Sequence, residues 1–221
     1  MIELPDSPAP NAVDFELLDY GAFLRSPTGG STLRVDRAGS RFKATVGFPP
    51  MKPAVARVFA ARLQKAKREG LRIEVPLLGA SQGNPGPAVV DGAGQTGTTI
   101  ALRGLNPGYV VKEGYWLTLV DTDDSRYLHQ ATAVAVADAG GLATFTIDPP
   151  LRAPLPDGAQ VLLAKPTIDG WLVDAIGWNY SVDRLVRFGG AIVIEEADGL
   201  GGSMPAPATF DSGSITFDAG A

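Results

Sequence analysis

Three places in the chain combine residue types and spacings that could carry chemistry. Gly92-Ala93-Gly94-Gln95-Thr96-Gly97 matches G-x-G-x-x-G, the glycine turn that delivers a pyrophosphate to a helix N-terminus. That use requires a helix immediately afterwards. Thr98-Thr99-Ile100-Ala101-Leu102 follows instead and reads as a strand, so a plain turn is expected. His129 is the only histidine. A general base also needs an orienting group and a nucleophile, and no pattern around His129 supplies them, so a structural strand histidine is expected. Asp121, Asp123 and Asp124 form the densest acidic cluster. Alternating oxygen ligands can hold calcium, but the glycine and distal glutamate of an EF-hand loop are missing. Neighbouring turn positions also do not predict the carboxylate separation that glycoside hydrolysis needs. A solvated hairpin tip is the expectation.

The chain has no cysteine. Disulfides, thiolate nucleophiles and cysteine metal sites are excluded, and one histidine cannot build a histidine zinc site. We therefore assign no catalytic, cofactor-binding or metal-binding residue, and expect no cofactor and no enzymatic activity. What remains is charge. Residues 1–80 hold 12 Lys/Arg against 8 Asp/Glu, residues 81–170 hold 5 against 9, and residues 171–221 hold 2 against 7. A chain with a basic first third and a net charge of −5 is a poor match for nucleic acid, which calls for a stronger basic field. It suits opposite-sign faces meeting between copies of one subunit. The basic residues cluster at Arg57, Arg62, Lys65, Lys67 and Arg68. With Pro5, Pro8 and Pro10 of the N-terminal stretch, they are the candidate interface residues.

The elements that must position these residues are mostly β. Gly and Pro are plentiful, 27 and 18 of 221 residues, which favours short strands and many turns. Three prolines in Met1–Asn11 exclude a central strand or helix interior and predict an extended arm, held by something, with a neighbouring subunit as one candidate. Phe15–Tyr20 and Leu33–Asp36 read as strands. Arg41–Phe48 alternates cleanly, with Phe42, Ala44, Val46 and Phe48 on one face. From Pro53 to about residue 69 the period changes. Val55, Phe59, Leu63 and Ala66 recur at three to four, Pro53 suits a first turn, basic residues crowd the last turn and Gly70 stops the helix. Leu71–Val75 then alternates as a strand. Glycines and prolines over 79–98 mark a boundary. Beyond it come strands at Thr98–Arg103, Tyr115–Val120, Tyr127–Val136, Leu142–Ile147 and Gln160–Ala164, spaced as in a small antiparallel barrel or sandwich. Asn179–Phe188 and Ala191–Glu196 read as strands, and Ser214–Phe217 as a weak one. The acidic, proline-broken start is not a signal peptide, and no apolar run approaches the roughly 20 residues of a membrane span.

Several segments together resemble a known family. Phe23-Leu24-Arg25-Ser26-Pro27, Gly39-Ser40-Arg41-Phe42, Pro49-Pro50-Met51 and the helix to Gly70-Leu71 are similar to the start of bacteriophage distal tail proteins. Gly94-Gln95-Thr96-Gly97, Lys112-Glu113-Gly114-Tyr115-Trp116-Leu117, Ala137-Asp138-Ala139-Gly140-Gly141-Leu142-Ala143-Thr144 and Pro149-Pro150-Leu151-Arg152 resemble tail-associated β modules. The resemblance implies a mostly β fold. A β-sandwich belt domain with one helix near 53–69 would comprise 1–84 and 170–221, and a small antiparallel β domain would be inserted at 85–169. It implies a structural virion protein of a siphophage tail tip, assembled in the host cytoplasm. Its partners would be itself, in a hexameric ring, the tail tube protein, and baseplate hub and tail-tip proteins, with no membrane span and no specific nucleic acid. The alternative is a carbohydrate- or receptor-binding tail module, which would need an aromatic platform from Tyr109, Tyr115, Trp116 and Tyr127; core positions are the simpler expectation for these.

Overall fold

In the computed structural model, which describes residues 1–25, 29–35, 39–77, 81–180 and 185–197, the strongest sequence periodicities become the best-defined elements. In chain order these are β1 (Ile2–Glu3), β2 (Ala12–Leu18), β3 (Ala22–Leu24), β4 (Leu33–Val35), β5 (Arg41–Gly47), α1 (Pro53–Glu69), β6 (Leu71–Glu74), β7 (Val89–Val90), β8 (Gly97–Arg103) and β9 (Val110–Val111). Then follow β10 (Trp116–Val120), β11 (Arg126–Ala131), β12 (Ala135–Val136), β13 (Ala143–Leu151), β14 (Gln160–Leu162), β15 (Thr167–Leu172), β16 (Trp178–Tyr180), β17 (Val186–Phe188) and β18 (Ile192–Glu196). The protein is mostly β with one helix. Pro53 opens α1, and Gly70, at φ 77°, closes it with its N–H on the Ala66 carbonyl. Only glycine takes that backbone conformation without strain.

Two bodies of sheet hold most of the strands, and β3–β4, β9–β12 and β16–β17 form separate two-stranded pairs. One is a six-stranded sheet in the order β1-β6-β15-β18-β5-β2, antiparallel except for the β1–β6 pair. Its register sets Val46, Ala44 and Phe42 beside Val13, Phe15 and Leu17 on one side, and sets Val46 and Ala44 beside Ile192 and Ile194 on the other. The period of two then gives a continuous apolar face, which packs with Leu63 and Ala66 of α1. The second body is a closed barrel in the order β10-β11-β13-β8-β7-β14. Ile100, Leu102, Leu117, Leu119, Phe145 and Ile147 fill it. Closure leaves it no strand edges.

The barrel joins the sheet through shared packing and a buried polar clamp. Trp116 of β10 lies 4.6 Å from the ring of Phe15 and 4.9 Å from that of Phe42, while Leu128 of β11 belongs to the sheet's core. At the end of β18, the fully buried Glu196 carboxylate accepts the N–H of Phe42 at 3.0 Å and of Leu128 at 2.7 Å, and pairs with Arg152 beyond β13. Burial pushes Glu196 above the ordinary carboxylate range, opposed by Arg152 and the two N–H groups. Opposite Glu196 in register is Gly170, where a Cβ would stand 2.2 Å from the Glu195 carbonyl oxygen. The strands thus approach each other too closely there for any side chain.

Some expectations shift. The arm contributes a short edge strand, and the chain itself holds it: Ile2 donates to the Gly70 carbonyl at 3.0 Å and Arg62 donates to the Glu3 carbonyl at 2.8 Å. The stretch 127–136 is two strands, because β12 leaves the barrel to pair with β9. The stretch 179–188 is not one strand: Trp178 pairs with Phe188 in an antiparallel β16–β17 hairpin. The return to the sheet begins at Thr167, paired with Glu74, three residues before the expected 170. Ser214–Phe217 lies outside the described residues. Removing the carboxylate that bridges these bodies takes the counter-charge from the buried Arg152. Glu196→Ala is therefore expected to lower unfolding free energy by about 3–5 kcal/mol, read as a fall in the urea midpoint.

Candidate interaction surface

The first part of the surface is built from β2 and β5, which pair over their whole lengths from Ala12↔Gly47 to Leu18↔Arg41. Past them the same two chain segments pair again as β3 and β4, from Ala22↔Val35 to Leu24↔Leu33. The result is a two-stranded ribbon running on from the edge of the sheet. Asp19 holds the junction: it accepts the Gly21 N–H at 2.8 Å and pairs with Arg34 at 2.9 Å, contacts that hold its carboxyl below the ordinary range. Arg34 also lies 5.5 Å over the Phe23 ring. Beyond that, the ribbon's apolar residues are open: Phe23, Leu24 and Leu33 are 57%, 56% and 60% exposed. Tyr20 and Val35 are exposed too. An isolated two-stranded ribbon is marginal in water; its register puts Leu24 beside Leu33 on one face and Phe23 beside Arg34 on the other, so both faces carry exposed apolar side chains.

The basic residues singled out from the sequence all lie on α1, but the structure divides them. Lys67 donates to three carbonyl oxygens, those of Leu172, Val173 and Asp174, at 2.6, 3.2 and 2.9 Å, and so ties the helix end to the chain after β15. Arg62 holds the arm, as above, and Lys65 pairs with Glu69 one turn on, at 3.5 Å. Arg57 and Arg68 are exposed and make no ion pair with the described residues. Between and beside them, Val55 and Val58 are exposed at 36% and 46%. Pro5, Pro8 and Pro10 are half-buried, and line a groove of about 630 Å³ with Phe48, Val75 and Lys165.

The chemistry-bearing motifs have structural duties. Gly92–Gly97 leads into β8, and Gln95 staples the turn by exchanging hydrogen bonds with Ala101: its Oε1 accepts the N–H at 2.7 Å and its Nε2 donates to the carbonyl at 3.2 Å. The Asp121–Asp124 turn is the tip between β10 and β11, with Thr122, Asp123 and Asp124 exposed as expected, and one of its carboxylates also reaches the sheet. Asp124 accepts from Arg72 at 2.9 Å and from Arg126 at 3.3 Å, and Arg72 also pairs with the buried Asp169 at 2.7 Å. Partial burial opposes it, but the two arginines hold the Asp124 carboxyl below its usual range. Of the barrel aromatics, Trp116 sits in the joint. Tyr127 is buried, with the Arg152 guanidinium 5.2 Å over its ring, and Tyr109 donates its hydroxyl to the Gln82 carbonyl at 2.6 Å. Tyr115 is half-buried against the barrel core. The ribbon's exposure escaped sequence reasoning. Its signal was present, though: Phe23-Leu24 and Leu33 are apolar at positions that no alternation assigns to a core face.

His129 is wholly buried. Its Nδ1–H donates to the Pro149 carbonyl at 2.8 Å, and its Nε2 finds no partner among the described residues. Burial, and secondarily Arg152, push its pKa down to about 3. The unfolded chain takes up this proton near 6.5, so the histidine's contribution is complete above that pH and is lost as pH falls towards 3. Acid titration of unfolding free energy should show a loss on the order of 4 kcal/mol from this group. His129→Gln should flatten that segment of the profile. No protein-family model matches the chain, and no curated protein matches it.

Proposed function

We propose that the chain is a non-enzymatic structural subunit of a bacteriophage tail tip. In this reading copies assemble into a ring that joins the tail tube to the baseplate hub, within the virion. The observation that carries it is the ribbon of β3 and β4: Phe23, Leu24 and Leu33 stand more than half exposed on an element with too little core of its own to persist uncovered. Among the described residues, the sheet beside it also ends in a seven-residue edge strand, β2, which pairs on one side only, with β5. Closed assemblies of identical copies are the usual way to cover both. The resemblance in the Phe23–Pro27, Arg41–Phe48 and Pro49–Gly70 segments gives the assembly its setting. No helix among the described residues is long and apolar enough to cross a membrane.

Static light scattering on the purified chain tests this directly. A discrete oligomer mass at moderate salt is expected, and a monomer at every concentration up to the solubility limit would sink the reading. Phe23→Ser, Leu24→Ser and Leu33→Ser combined should shift that oligomer to monomer. Because all three are surface positions, the triple change should alter each copy's own stability by only about 0.5 kcal/mol per site.

A further inference from the structure

We infer that the groove beside β6 seats a short extended segment of a partner protein, one that carries a lysine or arginine among apolar residues. The site lies at the β1 end of the sheet order, away from the ribbon, and needs no second copy of the chain. Its position follows from where strand pairing stops. β1 runs parallel to β6 for two residues, Ile2↔Leu71 and Glu3↔Arg72, and the proline-rich arm then departs. β6 goes on to Glu74 without it. On the other side of β6, Val75 donates to the Pro166 carbonyl at 2.8 Å, so by alternation the backbone N–H and carbonyl of Glu74 face the β1 side. Neither has a hydrogen-bond partner among the described residues. An open edge of this kind is where an extended peptide adds as a further strand.

The walls of the groove set the chemistry of that segment. Arg72 and Glu74 point to one face of β6, and Ile73 and Val75 to the other. All four line the groove, so it runs along the edge of the strand rather than over one face. Its volume of about 630 Å³ lies in the range of ligand sites. The facing wall is the arm, where Leu4, Pro5, Pro8 and Pro10 offer apolar contact, with Phe48 beside them. Charge decides the rest. The cations of the groove are committed: Arg72 to Asp169 and Asp124, Arg126 to Asp124, and Lys165 to Glu74 at 3.4 Å. Glu3 and Asp6 are exposed on the arm, and their carboxylates make no ion pair with the described residues; Arg62 reaches only the Glu3 carbonyl. The unmatched charge in the groove is therefore negative. Such exposed charges add little affinity, but they select the partner, here a cationic one. The chain's own C-terminal stretch is the wrong occupant on the same ground, since residues 198–221 hold Asp198, Asp211 and Asp218 and no lysine or arginine.

Two end-capped peptides serve as probes, Val-Lys-Val-Arg-Val and its acidic counterpart Val-Glu-Val-Asp-Val. Each is titrated into the isotope-labelled full chain and followed by amide chemical shifts. The expected result for the basic peptide is saturable shifts at the Glu74, Leu4 and Asp6 amides, with the acidic peptide binding about tenfold more weakly. Glu3→Gln combined with Asp6→Asn should erase that preference and leave the urea midpoint of the chain unchanged. Glu74→Pro takes away the facing N–H and none of the sheet's own bonds, and should weaken the basic peptide severalfold. Equal binding of the two peptides, or no saturable shift up to millimolar peptide, overturns the proposal. Binding of the basic peptide that appears only when residues 198–221 are deleted overturns it too, because the groove then belongs to the chain's own tail.

Discussion

The arrangement of the molecule depends on one buried carboxylate. Glu196 takes N–H groups from two different strands, β5 of the sheet and β11 of the barrel, and is countered by Arg152 at the end of β13. Three segments far apart in sequence are fixed relative to one another by a group of a few atoms. Burying such a charge is costly unless every oxygen is satisfied. The site meets that condition through two backbone donors and a guanidinium. The close approach of β15 at Gly170 leaves room for no side chain opposite, and Trp116 seals the neighbouring apolar contact against Phe15 and Phe42. A second link, Arg72 with Asp169 and Asp124, works on the sheet's other residue row. Thr118 and Thr167 add a third, exchanging two hydrogen bonds at 2.7 and 2.8 Å.

With the barrel closed and the joint sealed, exposed apolar side chains remain at the ribbon, on the outer side of α1 and around β9 and β12, where Val110, Val134, Val136 and Leu142 stand open. That distribution is what turns attention from chemistry to contact. Most residues with chemical potential are spent on holding the fold. His129 supports the Pro149 carbonyl, Asp124 anchors the β10–β11 turn, Gln95 braces the glycine turn, and Lys67 caps three carbonyls after β15. The exposed apolar side chains of β3 and β4 have no such duty within the chain.

The sequence is a good guide wherever structure is local. The three-to-four spacing of Val55, Phe59, Leu63 and Ala66, between Pro53 and Gly70, locates α1, because capping and amphipathicity act within a few positions, although Val55 stands exposed and only the other three are buried. The alternation of Phe42, Ala44 and Val46 likewise announces β5. Short pairings are less legible. Two-residue strands such as β1, β7 and β9 carry no periodicity of their own and exist because a neighbour lies alongside. The split of 127–136 and the reversal within 179–188 have the same origin: the pattern is strand-like throughout, and the partner decides where pairing stops.

By itself, the sequence determined the class of the protein. It specified short strands, one helix, no cysteine chemistry and a basic segment on the helix, since composition and local period act without knowledge of the rest of the chain. The tertiary structure alone decided which charges are free. Lys67 and Arg57 look equivalent in sequence, yet one is bound to the carbonyls of 172–174 and the other stands open, because the partners lie more than a hundred residues away. The Glu196 clamp is similarly invisible beforehand, its partners being 154, 68 and 44 residues distant. Which carboxylate is buried and which apolar pair is exposed depends on what the folded chain brings beside it, and that is settled only when the sheet and barrel close together.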